Sequence, residues 1–270
     1  MRELPVGAAS GIARVGDRLF VIADDEHRLA VLDVDGAGPV RVVPFSDDAA
    51  SAAPAEGKRT KRDLEALTVA HGALVGIGSG STARRRWGFS WAVDDAGELA
   101  GAPSPLDLAP LYAGLADRIP DLNIEGATFA RERLLLFQRG NGPGGVNAVV
   151  ELAWKGDVQA TLRPDAIEAV HEHHLGTVDG VRLCFTDAAC AGERIVFTAV
   201  AEAALSTYDD GPCVGAAVGI LGGPMFHLDP PVKVEGVEVA AIDGDTIDLL
   251  LVIDDDDPET AARLFSARIG

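Results

Sequence analysis

Lysine is nearly missing from this chain: its 270 residues contain four, at Lys58, Lys61, Lys155 and Lys233. Asp plus Glu number 42 against 23 for Lys plus Arg, so the formal net charge is −19. A surface of that sign repels phosphate backbones and anionic lipid, which argues against nucleic-acid and membrane partners. Cysteine is also scarce. Cys184, Cys190 and Cys213 are odd in number and lack metal-type spacing, so they read as reduced thiols, and a cytoplasmic location is expected. Met1-Arg2-Glu3-Leu4-Pro5 holds no apolar run, so no signal peptide is expected, and no run approaches membrane-span length. No Gly-x-Ser-x-Gly elbow occurs, which argues against nucleophilic-serine catalysis. Aromatic residues make up 5% of the chain while hydrophobic residues reach 47%, so small and β-branched side chains must form most of the core.

What the chain does have is a recurring phrase. A small or acidic residue, a Gly or Ala and an apolar residue are followed by a tight turn and an apolar run that ends in polar residues. It reads Ser10-Gly11-Ile12 with Leu19–Ala23, Glu65-Ala66-Leu67 with Leu74–Ile77, and Glu125-Gly126-Ala127 with Leu134–Gln138, at identical offsets. Looser copies are Asp187-Ala188-Ala189 with Ile195–Phe197, and Glu235-Gly236-Val237 with Leu249–Val252. A period of roughly fifty residues built of short strands means a β-propeller or a related array.

Each copy supplies strands to one blade. The first continues into Leu29–Val34 and Val40–Phe45, and the third into Asn147–Trp154 and Val158–Leu162. The last copy lacks a fourth strand, which Arg2–Val6 can fill beside Arg263–Ile269, removing an exposed edge. The expectation is one all-β domain over residues 1–270, a five-bladed β-propeller closed by its N-terminal strand. A six-bladed ring is the alternative, should 94–122 or 165–179 form a further unit.

Strand direction places the chemistry. An inner strand and its neighbour are antiparallel, so the first residue of each phrase and the polar end of its second strand share one mouth of the central tunnel. Ser10, Glu65, Glu125, Asp187 and Glu235 then form an inner ring. Around it lie Asp24-Asp25-Glu26, Ser79-Gly80-Ser81, Arg139-Gly140-Asn141, Glu202 and Asp254-Asp255-Asp256-Asp257. Converging carboxylates need a counter-charge, and a hard cation bound by oxygens supplies one. Arg139 and Arg84-Arg85-Arg86 are rivals for that role. His171-Glu172-His173-His174 has metal-like alternation but reads as a solvated connector away from the ring.

Several segments resemble an uncharacterised bacterial β-propeller family, distantly similar to the esterase-like phytase domains. They are Asp63-Leu64-Glu65-Ala66-Leu67, Gly78-Ser79-Gly80-Ser81, Asn123-Ile124-Glu125-Gly126-Ala127, Phe185-Thr186-Asp187-Ala188-Ala189, Tyr208-Asp209-Asp210-Gly211-Pro212 and Val234-Glu235-Gly236-Val237. The resemblance spans nearly the whole chain, and its phytase-like side implies a metal-dependent hydrolase that uses calcium. The functional expectation is a calcium-dependent hydrolase of a small anionic ester, a phosphate ester or lactone, at the tunnel mouth. Glu65, Glu125, Asp187, Glu235 and Asp254 are the candidate ligands of Ca²⁺. Glu65, Glu125 and Arg139 are the catalytic candidates, with the ion polarising the ester and Arg139 orienting the anionic group. The alternative is a non-catalytic propeller that binds a sugar or a protein partner, with a structural metal or none.

Overall fold

The structure, a computed structural model, describes residues 2–7, 9–23, 27–36, 38–45, 64–203, 211–254 and 260–270. Five four-stranded antiparallel sheets form the five blades of a propeller. Blade one is Ala9–Val15, Arg18–Ala23, Arg28–Asp33 and Arg41–Pro44, from the axis outward. Blade two is Ala66–Ala70, Ala73–Ile77, Trp87–Val93 and Leu99–Asp107, and blade three is Ile124–Ala130, Arg133–Gln138, Asn147–Ala153 and Ile167–His173. Blade four is Cys184–Ala191, Arg194–Glu202, Cys213–Ile220 and Met225–His227. Blade five joins Val234–Asp243, Thr246–Ile253 and Arg263–Ile269 to the N-terminal Arg2–Glu3. Among the described residues no helix is long and apolar enough to cross a membrane.

The second strands read as unbroken apolar runs because both of their faces are covered. Leu134 and Leu136 pack toward blade two, while Leu135 and Phe137 pack toward blade four. Strand side chains alternate in direction, so one run serves two interfaces. Five apolar clusters result, one between each pair of neighbouring blades.

Two segments differ from their sequence reading. Val158–Thr161 is a helical turn rather than the fourth strand of blade three. Asp157 caps it by accepting from the Ala160 amide at 2.8 Å, and Val158 and Leu162, four residues apart, both turn inward. The fourth strand is instead Ile167–His173, so the His171-Glu172-His173-His174 cluster begins on a blade edge rather than in a connector. That strand keeps its charged residues outward, with Glu168 on Arg133 at 2.6 Å and His171 near Glu151 at 3.4 Å. Charge on an edge strand discourages pairing with another chain. In blade two, the residue 94–122 stretch supplies the outer strand Leu99–Asp107 and a helix, Ala109–Leu115, and not a sixth blade.

The ring closes through Arg2 and Glu3, which pair with Leu264 and Arg263. The Leu4 amide donates to Ala262 O at 2.8 Å, and the Ala262 amide donates to Val6 O at 3.0 Å. Leu4 and Val6 are buried between blades five and one, and the Arg2 guanidinium reaches Gly36 O and Gly38 O of blade one. Burying a Leu or Val side chain contributes about 1.5–3 kcal/mol. Deleting residues 1–6 should therefore lower the melting temperature by several degrees. A calorimetric scan of the truncated chain that matches the full chain would show the closing strand to be dispensable.

Candidate functional site

The inner strands of blades one, three, four and five begin with a register shift, and in blades one, three and five the extra residue faces the mouth. In blade three Ile124 pairs with Gln138 and Gly126 with Phe137, which leaves Glu125 as the bulge residue. Ser10 and Glu235 occupy the same position in blades one and five, and Glu65 leads into the strand of blade two, its amide donating to Ile77 O at 3.0 Å. A bulge re-aims a side chain out of the pleat, which is how blades one, three and five turn this residue toward one axis. The next position must be small because the neighbouring blade's backbone passes there. A Cβ on Gly126 would stand 2.7 Å from Asp187 Cα, and one on Gly11 would stand 3.0 Å from the Leu67 amide nitrogen. These two demands account for the phrase itself.

Asp187 breaks the pattern. In blade four Phe185 pairs with Ala199 and Asp187 with Thr198, so the bulge residue is Thr186 and Asp187 stands one residue further in, where the other blades carry Gly or Ala. Thr186 turns inward to Thr198 at 3.0 Å. Asp187 is fully buried and braces blade five, its Oδ2 accepting from the Val237 amide at 2.9 Å. Burial holds this carboxyl well above its usual range, with the Val237 and Ala188 amides pulling the other way. The spacing itself locates Thr186: the nine-residue offset from Glu125 to Leu134 recurs from Thr186 to Ile195.

At the mouth, five ionisable side chains from three blades form one chain of alternating acidic and basic groups. Asn123 Nδ2 donates to Glu125 Oε1 at 2.6 Å, and Arg139 Nη1 donates to Glu125 Oε2 at 3.2 Å. Arg139 Nη2 donates to Glu202 Oε2. Lys233 Nζ then lies 3.4 Å from Glu202 Oε1 and 3.3 Å from Glu235 Oε1. The side chains of Glu125, Arg139, Glu202 and Glu235 are only 8–9% exposed. Burial raises the pKa of Glu125, against the pull of Arg139, and pushes Glu235 up to about 8 despite Lys233. Arg139 stays firmly protonated between its glutamates.

Glu65 sits apart from this chain, 4.0 Å from Arg85 Nη1, and Arg85 also donates to Ser81 Oγ at 3.3 Å. Ser10 Oγ donates to Leu64 O at 2.7 Å and so ties blade one to blade two. The Asp254 amide donates to Lys233 O at 3.2 Å, which places Asp254 beside the network. Asp24-Asp25-Glu26, Asp255-Asp256-Asp257, Tyr208-Asp209-Asp210 and the basic Lys58-Arg59-Thr60-Lys61-Arg62 lie outside the described residues. Among the described residues no three His, Cys, Asp or Glu side chains group as a metal site. Cys184, Cys190 and Cys213 are free thiols, and burial raises the pKa of each.

Sequence reasoning missed Lys233. The signal for it was present in the repeat: Lys233 precedes Glu235 by two residues, as Asn123 precedes Glu125, each just before the inner strand begins.

The chain belongs to a family of unknown function, DUF6929, whose model matches residues 5–269. No curated protein matches it by sequence. Solved structures similar in fold include the glutaminyl cyclase of Myxococcus xanthus, 13% identical, with 99% of this chain and 96% of that one covered at a TM-score of 0.47. A GH43B protein of a xyloglucan PUL from Bacteroides ovatus is 10% identical, with 99% of this chain and 53% of that one covered at a TM-score of 0.51. The virginiamycin B lyase of Staphylococcus aureus is 10% identical, with 96% and 84% covered at a TM-score of 0.41. At such identities the likeness is one of fold alone.

Proposed function

We propose that the mouth binds a small polyhydroxylated molecule, a sugar or polyol, and that Arg139 and Lys233 are the chain's own counter-cations for the carboxylate ring. The observation that carries this reading is a set of buried polar atoms without a well-formed hydrogen bond among the described residues: Arg139 Nε and Asn141 Oδ1, together with Glu202 Oε1 and Glu235 Oε1, which have only the Lys233 ammonium at 3.4 and 3.3 Å. A fully unpaired buried atom costs about 1–3 kcal/mol. One is a donor and three are acceptors, and a hydroxyl group answers both needs. Burying five ionisable groups is a poor way to gain stability, since apolar residues of the same volume serve as well or better. That supports a ligand-directed role.

A calcium ion bridging Glu202 and Glu235 would have to displace Lys233, and one on Glu125 would have to displace Arg139. The reading therefore uses no metal, and it sets aside the calcium that the phytase-like resemblance implies. A second reading, hydrolysis of an ester at the same mouth, is favoured by Glu235. Held protonated at neutral pH, it can give its proton to a leaving group while Glu202 or Glu125 acts as base. Arg139 is occupied by two glutamates, so it positions them instead of clamping an anion.

The test is a thermal-shift and calorimetric titration with monosaccharides and polyols, run on the full chain and on Glu202→Gln. At least one compound should raise the wild-type melting temperature increasingly with its concentration, the stabilisation reaching about 2.7 kcal/mol at a hundredfold excess over its dissociation constant. Glu202→Gln should lose most of that gain. A flat panel would remove this reading. A comparable shift from calcium alone, abolished by chelator, would restore the metal-dependent hydrolase.

A further inference from the structure

The other half of the central channel is a separate space. It is a cavity of about 170 Å³ whose walls come from the far ends of all five inner strands. A space of that volume, open on one side, takes a small ligand about the size of a benzene ring with a short polar arm. Its lining is mixed: Ile12, Leu67 and Phe129 supply apolar surface, Thr68 and Thr128 supply polar surface, and Glu238 is the one carboxylate among the described lining residues.

Glu238 is held firmly in place. Its Oε2 accepts from the Arg14 amide at 2.8 Å and its Oε1 from the Val239 amide at 2.7 Å. A carboxylate oxygen has two lone pairs, so each retains an acceptor direction. Arg14 also lines the cavity, but its guanidinium is committed to backbone oxygens, with Nη1 on Ala240 O at 2.6 Å and Nε on Gly16 O at 2.8 Å. Glu238 thus stands in a mixed wall with fixed geometry and no side-chain cation hydrogen-bonded to it among the described residues.

We propose that this far half of the channel is a second ligand site that takes a small organic amine, its hydrocarbon body among Ile12, Leu67, Ala127 and Phe129 and its ammonium on Glu238. Charge complementarity selects the class. An anionic ligand would meet Glu238 and the field of a chain with net charge −19, while a neutral one would leave the carboxylate without a counter-charge. Burial raises the Glu238 pKa to about 7, and an ammonium at the carboxylate would bring it down again. The other ionisable groups around it are Arg14, Cys190 and Asp187, of which only Arg14 is a cation. The site is independent of whatever occupies the mouth.

The experiment is isothermal titration of the full chain near neutral pH with benzylamine, benzyl alcohol and benzoate. Benzylamine should bind one to one, benzyl alcohol at least about tenfold more weakly, and benzoate not at all. Glu238→Gln should bring benzylamine down to the affinity of the alcohol. Ala189→Leu, which fills the cavity, should remove binding of both. Equal affinities for amine and alcohol, no heat from benzylamine up to about 10 mM, or unchanged binding in Glu238→Gln would each overturn the proposal. Should either variant fail to fold, the three-ligand comparison on the unaltered chain decides the matter alone.

Discussion

Exchanging Arg139 for methionine destabilises the protein by about 3–5 kcal/mol, because two buried glutamates then lose the cation between them. Each bond to a charged group contributes about 1.5–3 kcal/mol, so the two bonds account for a loss of this size. The loss arises because Glu125 and Glu202 are left buried without a counter-charge. Adding Glu125→Gln and Glu202→Gln to the Arg139→Met chain should recover a large part of the deficit, since those carboxylates are then gone. Urea unfolding of the single and triple variants measures both effects. A single variant within about 1 kcal/mol of the parent would mean that water or protonation satisfies the glutamates instead.

Raising the pH from about 5 to 9 lowers the melting temperature by an amount on the order of ten degrees. Glu235 and Glu238 hold their protons up to about 8 and about 7 in the folded chain, against 4.5 when unfolded, and Asp187 is raised further by burial. Between those values the native state binds more protons than the unfolded one, so stability falls as pH rises. The contribution is complete below the unfolded values and is lost as pH passes the folded ones. Repulsion within an acidic chain runs in the same direction, so the variants carry the argument. Glu235→Gln and Glu238→Gln should each flatten the curve in its own part of that window, which scans across pH would read directly. A parallel curve in both variants would assign the slope to net charge alone.

Much of this was legible because the constraint repeats. The mouth-facing glutamate, the small residue after it and the apolar run nine residues on answer one geometric demand, so Glu65 and Glu125 stand out from spacing, while Glu235 keeps the small residue but has its apolar run fourteen residues on, at Leu249. The closing strand was legible because a blade with three strands leaves an edge. Asp187 was placed one residue out, since an acidic residue was matched to acidic residues while the offset pointed to Thr186. Ile167–His173 was hidden by its edge position, where solvent-facing charge erases the apolar alternation that marks a strand. Val158–Leu162 alternates too weakly to separate a short strand from a capped turn. Lys233 was out of reach for a different reason: half of its role depends on Glu202, which arrives from another blade.

The pairing of Arg2 and Glu3 with Arg263 and Leu264 also sets an order of events during synthesis. Blades one to four each draw their strands from a contiguous stretch and can form as the chain leaves the ribosome. Blade five cannot, because its outer strand is made first and its partner nearly last. Until then Leu4, Val6 and the apolar face of blade one wait uncovered. Non-local pairing of this kind is slow and exposes surface prone to aggregation. The interval between the emergence of Val6 and that of Ala262 is therefore when the nascent chain most needs a chaperone.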